Sequence, residues 1–115
     1  MSLSSKQQRF TRCIAQLINY ATVKGYGLTF GDAYRDPRVF GAHGVKKGYA
    51  ASKSVHKLRL ATDLNVFIED VYISDGNHEA YRDLGEEWER MDPDARWGGR
   101  FNDGNHFSFE HWGCK

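Results

Sequence analysis

The sequence predicts an α+β domain: a small antiparallel sheet with an N-terminal helix and a later helix packed on it, and a polar site on the open sheet face. Three observations predict it. Apolar residues near the N-terminus recur at three- and four-residue spacing, two later segments alternate in the two-residue period of strands, and a second helical pattern lies between those segments.

From Ser5 to Lys24, Phe10, Cys13, Ile14, Leu17, Ile18, Ala21 and Val23 trace one buried helical face, with Ser4 or Ser5 as the expected cap. Gly25 and Gly27 bracket Tyr26, which fits a helix ending in a left-handed turn and leading into the extended run Leu28-Thr29-Phe30. That run continues through Gly31-Asp32-Ala33-Tyr34-Arg35; Pro37 disfavours helix before it, so Arg35 is placed at a strand end. Val39 to Ser54, with Gly41, Gly44 and Gly48 and no periodicity, reads as a functional loop.

Leu60 to Phe67 reads as a strand with Leu60, Thr62, Leu64 and Val66 on one face and Ala61, Asp63, Asn65 and Phe67 on the other. Glu69-Asp70 joins it to a short strand, Val71-Tyr72-Ile73, and Ser74-Asp75-Gly76-Asn77 is a turn. His78 to Met91 has helical spacing, interrupted by Gly85 and ended by Asp92-Pro93. After the Gly98-Gly99 turn, His106 to His111 alternates, setting His106, Ser108 and Glu110 opposite Phe107, Phe109 and His111.

With 115 residues, the chain is expected to form one domain over its whole length, 1–115. Sixteen basic against 15 acidic residues leave a formal charge of +1 with no block of like charge, which argues against a nucleic-acid partner. No stretch is apolar for the roughly 20 residues of a membrane span, and the start Met1-Ser2-Leu3-Ser4-Ser5-Lys6 lacks a signal-peptide core. The reading is a soluble monomer made in the cytoplasm, without membrane insertion. Cys13 and Cys114 are far apart and show no C-x-x-C spacing, so both are expected as free thiols.

A catalytic zinc site takes about three nitrogen or carboxylate ligands and leaves a position open for water. His56, Asp63 and His106 can supply that set. Asp63 and His106 each lie on a strand whose opposite face is apolar, so both enter one polar cleft if those strands are neighbours. Taken singly, each also fits a surface, hydrogen-bonding or turn-capping role. Asp103, three positions before His106, has the residue type and offset of a general base, and equally those of an Asx-turn residue before a strand.

Two segments carry a family resemblance. Ser54-Val55-His56-Lys57-Leu58-Arg59-Leu60-Ala61-Thr62-Asp63-Leu64 resembles the Ser-x-His-x-x-Gly-x-Ala-x-Asp-Leu motif of the zinc peptidases of family M15, which include D-alanyl-D-alanine carboxypeptidases and dipeptidases and the L-alanyl-D-glutamate endopeptidases of phage endolysins. Trp97 to Phe107 resembles the family's C-terminal block, in which an acidic residue stands three before the last histidine ligand. Within the family, the resemblance points to the phage endopeptidases.

The resemblance implies Zn2+ bound by His56, Asp63 and His106, and Asp103 as general base and acid. It implies that Ser54 and Arg35 contact a peptidoglycan peptide, Arg35 also stabilising charge near the scissile carbonyl. Its biology implies a phage or prophage lysin released through a holin-opened membrane to the cell wall. Two departures stand out: Arg59 replaces the motif's usual glycine, and Asp103 stands where many relatives have Glu.

Two other readings stay open, a D-alanyl-D-alanine peptidase and a non-catalytic zinc-stabilised wall-binding module. Glu110 is a candidate for orienting a ligand. Trp97 is expected either to line the cleft or to anchor a turn. His43, His78 and His111 match no ligand position and are assigned surface or supporting roles, and Trp88 and Trp112 are assigned to packing.

Overall fold

A computed structural model of the chain describes residues 2–34, 36 and 54–115. Helix α1 spans Leu3–Lys24. Its cap is Ser2 rather than Ser4 or Ser5: the Ser2 hydroxyl accepts from Ser5 N at 3.1 Å, and so satisfies an otherwise orphaned first-turn donor. The helix stops as expected at Gly25, whose φ of 83° is left-handed and whose N–H reaches back to Ala21 O and Thr22 O.

Strand β1 is Gly27–Phe30, shorter than expected, yet its ladder runs on: Gly31 N donates to Asp63 O at 2.8 Å and Asp32 O accepts from Asp63 N at 2.6 Å. The expected end of this segment at Arg35 and Pro37, and the loop from Val39 through residue 53, lie outside the described residues. A short 3₁₀ turn, Val55–Leu58, leads into β2, Ala61–Ile68. β2 turns into β3, Val71–Ile73, through Glu69 (φ 51°) and Asp70 (φ 65°), the paired left-handed conformations of a type I′ hairpin turn.

Helix α2 spans Glu79–Met91, one residue inside the expected start, because His78 is its cap: His78 Nδ1 accepts from Ala80 N at 3.0 Å. Two elements follow that the sequence reading lacked. These are strand β4, Ala95–Trp97, and a second 3₁₀ turn, Gly98–Phe101; β5 is His106–Phe109.

The sheet runs β1-β2-β5-β4, all antiparallel, with β3 also on β2. β1 takes one edge of β2, while β5 (at residues 61–63) and β3 (at residues 66–68) follow one another along the other. Both helices cover one face. There Phe10 of α1 meets Trp88 of α2 and Phe109 of β5 edge-on at 5.6 and 5.3 Å, and Leu64, Val66, Leu84 and Phe107 complete the core. Among the described residues no helix covers the opposite face, the open one as predicted, and it carries Asp63 and His106.

The two helices are also tied by a polar clamp. The hydroxyls of Tyr20 and Tyr26 donate to the two Asp83 oxygens at 2.6 and 2.9 Å. Burial would raise the Asp83 carboxyl, but the bonds from Tyr20 and Tyr26 and the Lys24 charge together lower it. Tyr26 is pushed up to about 12 by burial, with its bond to Asp83 adding to the shift.

Gly85, which weakens the helical pattern in sequence, has a packing reason. A Cβ there would lie 2.1 Å from Trp97 Cδ2, and one at Gly99 would lie 2.2 Å from Trp97 Cζ2, so the indole is seated between two glycines. Trp97 Nε1 donates to Gly104 O at 2.8 Å. Trp97 therefore anchors the turn before β5. Trp88 is packed as expected, whereas Trp112 is 84% exposed and stacks on His111, so its assignment to packing is corrected. Cys13 and Cys114 are both free.

Gly→Ala within a helix ordinarily stabilises by about 1 kcal/mol. Gly85→Ala is expected to do the reverse here, destabilising by about 1–3 kcal/mol through overpacking against Trp97, as read by urea denaturation; a stabilised variant would show that the indole is not seated there. The Asp83 clamp predicts a pH signature. The raised Tyr26 hydroxyl contributes stability that is complete below its unfolded value near 10 and lost as pH rises through about 12. Asp83→Ala should lower stability at neutral pH by about 2 kcal/mol and flatten that alkaline loss, measured by denaturation at neutral and alkaline pH.

Candidate metal centre

Three separate segments bring His56, Asp63 and His106 to one point. Asp63 and His106 are register partners on β2 and β5, so their side chains rise side by side from the open face. His56 reaches them from the 3₁₀ turn. Ser54 starts that turn, its hydroxyl accepting from His56 N at 3.2 Å, and Arg59 ends it in a left-handed conformation with φ 56° and ψ 36°.

That conformation gives the family motif's usual glycine at this position its physical reason. Arg59 takes it up against a steric cost of about 1–2 kcal/mol. Its guanidinium lies over the Tyr34 ring at 4.0 Å from the centroid, a contact that offsets about 0.5–1 kcal/mol of it.

His56 Nδ1 lies 2.7 Å from Ala33 O. A carbonyl only accepts, so Nδ1 carries a proton and Nε2 is the nitrogen that faces the site. His56 Nε2 is 3.2 Å from His106 Nδ1, and each of these nitrogens is 3.4 Å from Asp63 Oδ1. Zinc held tetrahedrally at about 2.0–2.1 Å would have ligand atoms about 3.3–3.4 Å apart. The triangle in the structure fits one face of that tetrahedron.

Burial supports the same fit. Both imidazoles are buried, and Asp63 Oδ1 is a buried oxygen that has no hydrogen-bond partner among the described residues and lies within the group. Such an atom is costly unless a cation completes it. Burial alone would raise the Asp63 carboxyl, but the imidazoles of His106 and His56 outweigh it and hold it at about 2, so the oxygen is an anionic donor at neutral pH.

Asp103 stands at the open side. Its Oδ2 is 3.8 Å from His106 Nδ1 and its side chain is 52% exposed, in contrast to the enclosed ligands. The turn holds it there: Asp103 N donates to Gly98 O at 2.8 Å and Asp103 O accepts from His106 N at 3.0 Å. A Cβ on Gly98 would fall 2.0 Å from Asp103 O, and one on Gly104 would fall 2.0 Å from Gly76 O, so both glycines are needed for this closeness.

Ser54 lies next to the site through its cap to His56. Arg35 and His43 fall outside the described residues. Glu110 does not reach the ligands: it pairs with Arg96 at 3.3 Å, and its backbone oxygen accepts from Lys6 Nζ, because the strand ends before it. His78 is spent on capping α2, and His111 lies by Lys6. Two contributors had no sequence signal of their own. Ala33 acts through its carbonyl, and Phe101 sets the edge of its ring against His106 at 5.5 Å.

A family model described as D-alanyl-D-alanine carboxypeptidase matches residues 47–109, more than half of the chain. A search of curated proteins gave no match. The matched stretch contains His56, Asp63, Asp103 and His106 together, and the chain belongs to the D-alanyl-D-alanine carboxypeptidase family of M15 peptidases, whose members are zinc peptidases that act on peptidoglycan.

Proposed function

We propose that this protein is a zinc-dependent endopeptidase that hydrolyses the L-alanyl-D-glutamate bond of peptidoglycan stem peptides, acting at the cell wall as a monomeric phage or prophage lysin after release from the cytoplasm. The observation that carries the peptidase reading is the triangle of His56 Nε2, Asp63 Oδ1 and His106 Nδ1 with the exposed Asp103 carboxylate beside its open side. The choice of bond rests on the sequence likeness to phage endopeptidases. Among the described residues, no helix is long and apolar enough to cross a membrane.

These three atoms would hold the ion, which when bound supplies Lewis acidity to the scissile carbonyl and makes water acidic enough to attack near neutral pH. Ala33 O keeps the proton of His56 on Nδ1, so that Nε2 stays a donor. Asp103 takes the proton of the attacking water as its oxygen bonds to the carbonyl carbon. It then returns that proton to the amide nitrogen as the C–N bond breaks, leaving a carboxylate and a free amine. Arg35 steadies the oxyanion and Ser54 contacts the substrate, both by likeness to the family.

The matched family description favours a second reading, release of a terminal D-alanine. Digestion of purified peptidoglycan followed by mass spectrometry of the new termini separates the two: a freed D-glutamyl amine supports the endopeptidase, and free D-alanine without it overturns that bond assignment. A purely structural zinc module would have no use for Asp103.

Asp103→Ala is expected to reduce hydrolysis by about 10²–10⁴-fold while zinc stoichiometry, measured by elemental analysis, stays at the wild-type value. Undiminished activity would remove Asp103 from the mechanism. Adding zinc to the chelator-treated protein should raise its thermal midpoint, by linkage worth about 2.7 kcal/mol at a hundredfold excess over Kd. His106→Ala should abolish that response. A midpoint indifferent to zinc in the wild type would sink the ligand assignment.

A further inference from the structure

The open face continues past the ligands. From Asp63, the same side of β2 carries Asn65 and then Phe67. Asn105 Nδ2 donates to Asn65 Oδ1 at 3.1 Å, and Tyr72 is the register partner of Phe67, their rings 5.5 Å apart. β5 pairs with β2 at residues 61–63, with Leu64 N still donating to Asn105 O at 2.9 Å, and β3 takes over at residues 66–68, so the two strands part at Asn65. The Tyr81 hydroxyl forms its floor, accepting from Val66 N at 3.0 Å and donating to Ile73 O at 2.8 Å. Above lies a cavity of about 200 Å³ lined by Tyr72, Ser74, Asn102, Asp103 and Asn105.

Its lining narrows the occupant. Asp103 is the only charged group among the described residues lining it, so a carboxylate would be repelled and a cation would meet one carboxylate alone. What the walls otherwise offer is neutral: the Ser74 hydroxyl, the Asn102 and Asn105 amides, and the Tyr72 ring, 49% exposed. A half-exposed aromatic ring beside amide and hydroxyl groups suits a pyranose, whose C–H face lies on the ring while its hydroxyl and acetamido groups meet the amides. The volume suits one sugar ring rather than an extended glycan.

We propose that this cavity is a saccharide subsite that takes the N-acetylated sugar bearing the stem peptide, so that the first peptide bond beyond the sugar-linked residue falls beside Asp103. The class of ligand, neutral and rich in hydroxyl and amide groups, follows from the lining. The identity of the sugar rests on the peptidoglycan reading above.

Two probes that contain no scissile bond test it on the zinc-loaded chain: N-acetylmuramoyl-L-alanine, and N-acetyl-L-alanine, which lacks the sugar. The sugar probe should bind about tenfold more tightly (a tenfold ratio is about 1.4 kcal/mol) and should alone shift the side-chain amide NMR signals of Asn102 and Asn105. Tyr72→Ala should erase the advantage, and Tyr72→Phe, which keeps the ring, should retain most of it and guards against a folding artefact. Equal affinity for the two probes, or an advantage that survives Tyr72→Ala, overturns the subsite. Failure of the peptidase reading looks different: no new termini from purified peptidoglycan while the Tyr72-dependent preference persists.

Discussion

Everything at the site depends on the register between β2 and β5. Asp63 opposite His106 places a carboxylate and an imidazole on the same face at the closest spacing a sheet allows. A slip of β5 by one residue would turn His106 into the helix-covered side and expose Phe107 in its place. The register is fixed from behind, where Phe107 and Phe109 lock against Trp88 and Phe10. The apolar core and the polar site are thus two faces of one constraint, and a core defect at Trp88 would be felt in the ligand geometry.

The approach of Asp103 rests on a different device, the removal of side chains. Gly85 and Gly99 make room for Trp97, whose indole N–H holds Gly104 O, while Gly98 and Gly76 let neighbouring backbones close in. These close approaches shape the turn that holds Asp103 beside His106.

Most of this was legible in the sequence where a pattern reports a physical period. The helical stripe of α1 follows from side chains that recur on the core side, although Val23, read as part of it, is 88% exposed, and the two-residue period of β2 and β5 sorts an apolar face from the polar one that carries Asp63 and His106. What was not legible depends on backbone atoms or on the shape of a partner. The Ala33 carbonyl that fixes the His56 tautomer has no side-chain signature, and β4 is too short to show alternation. Gly85 reads as a flaw in the helix until the Trp97 ring is known to lie on it. His78 reads as a spare histidine until its ring is found capping α2. Arg59 could be marked as a departure, but only its positive φ shows what that departure opposes.

The span between the ligands has a topological meaning as well. His56 and His106 are 50 residues apart in sequence, and their ring nitrogens are 3.2 Å apart in space. An ion joining them would close that loop as a covalent cross-link does, and the entropy removed from the unfolded chain by a perfect cross-link over such a loop is worth about 4 kcal/mol. The two thiols of this chain are unpaired and take no part in it. The ion would therefore act as a redox-indifferent staple on the β2–β5 pairing, and a non-chelating reductant that dismantles disulfide-bonded proteins would leave this one closed.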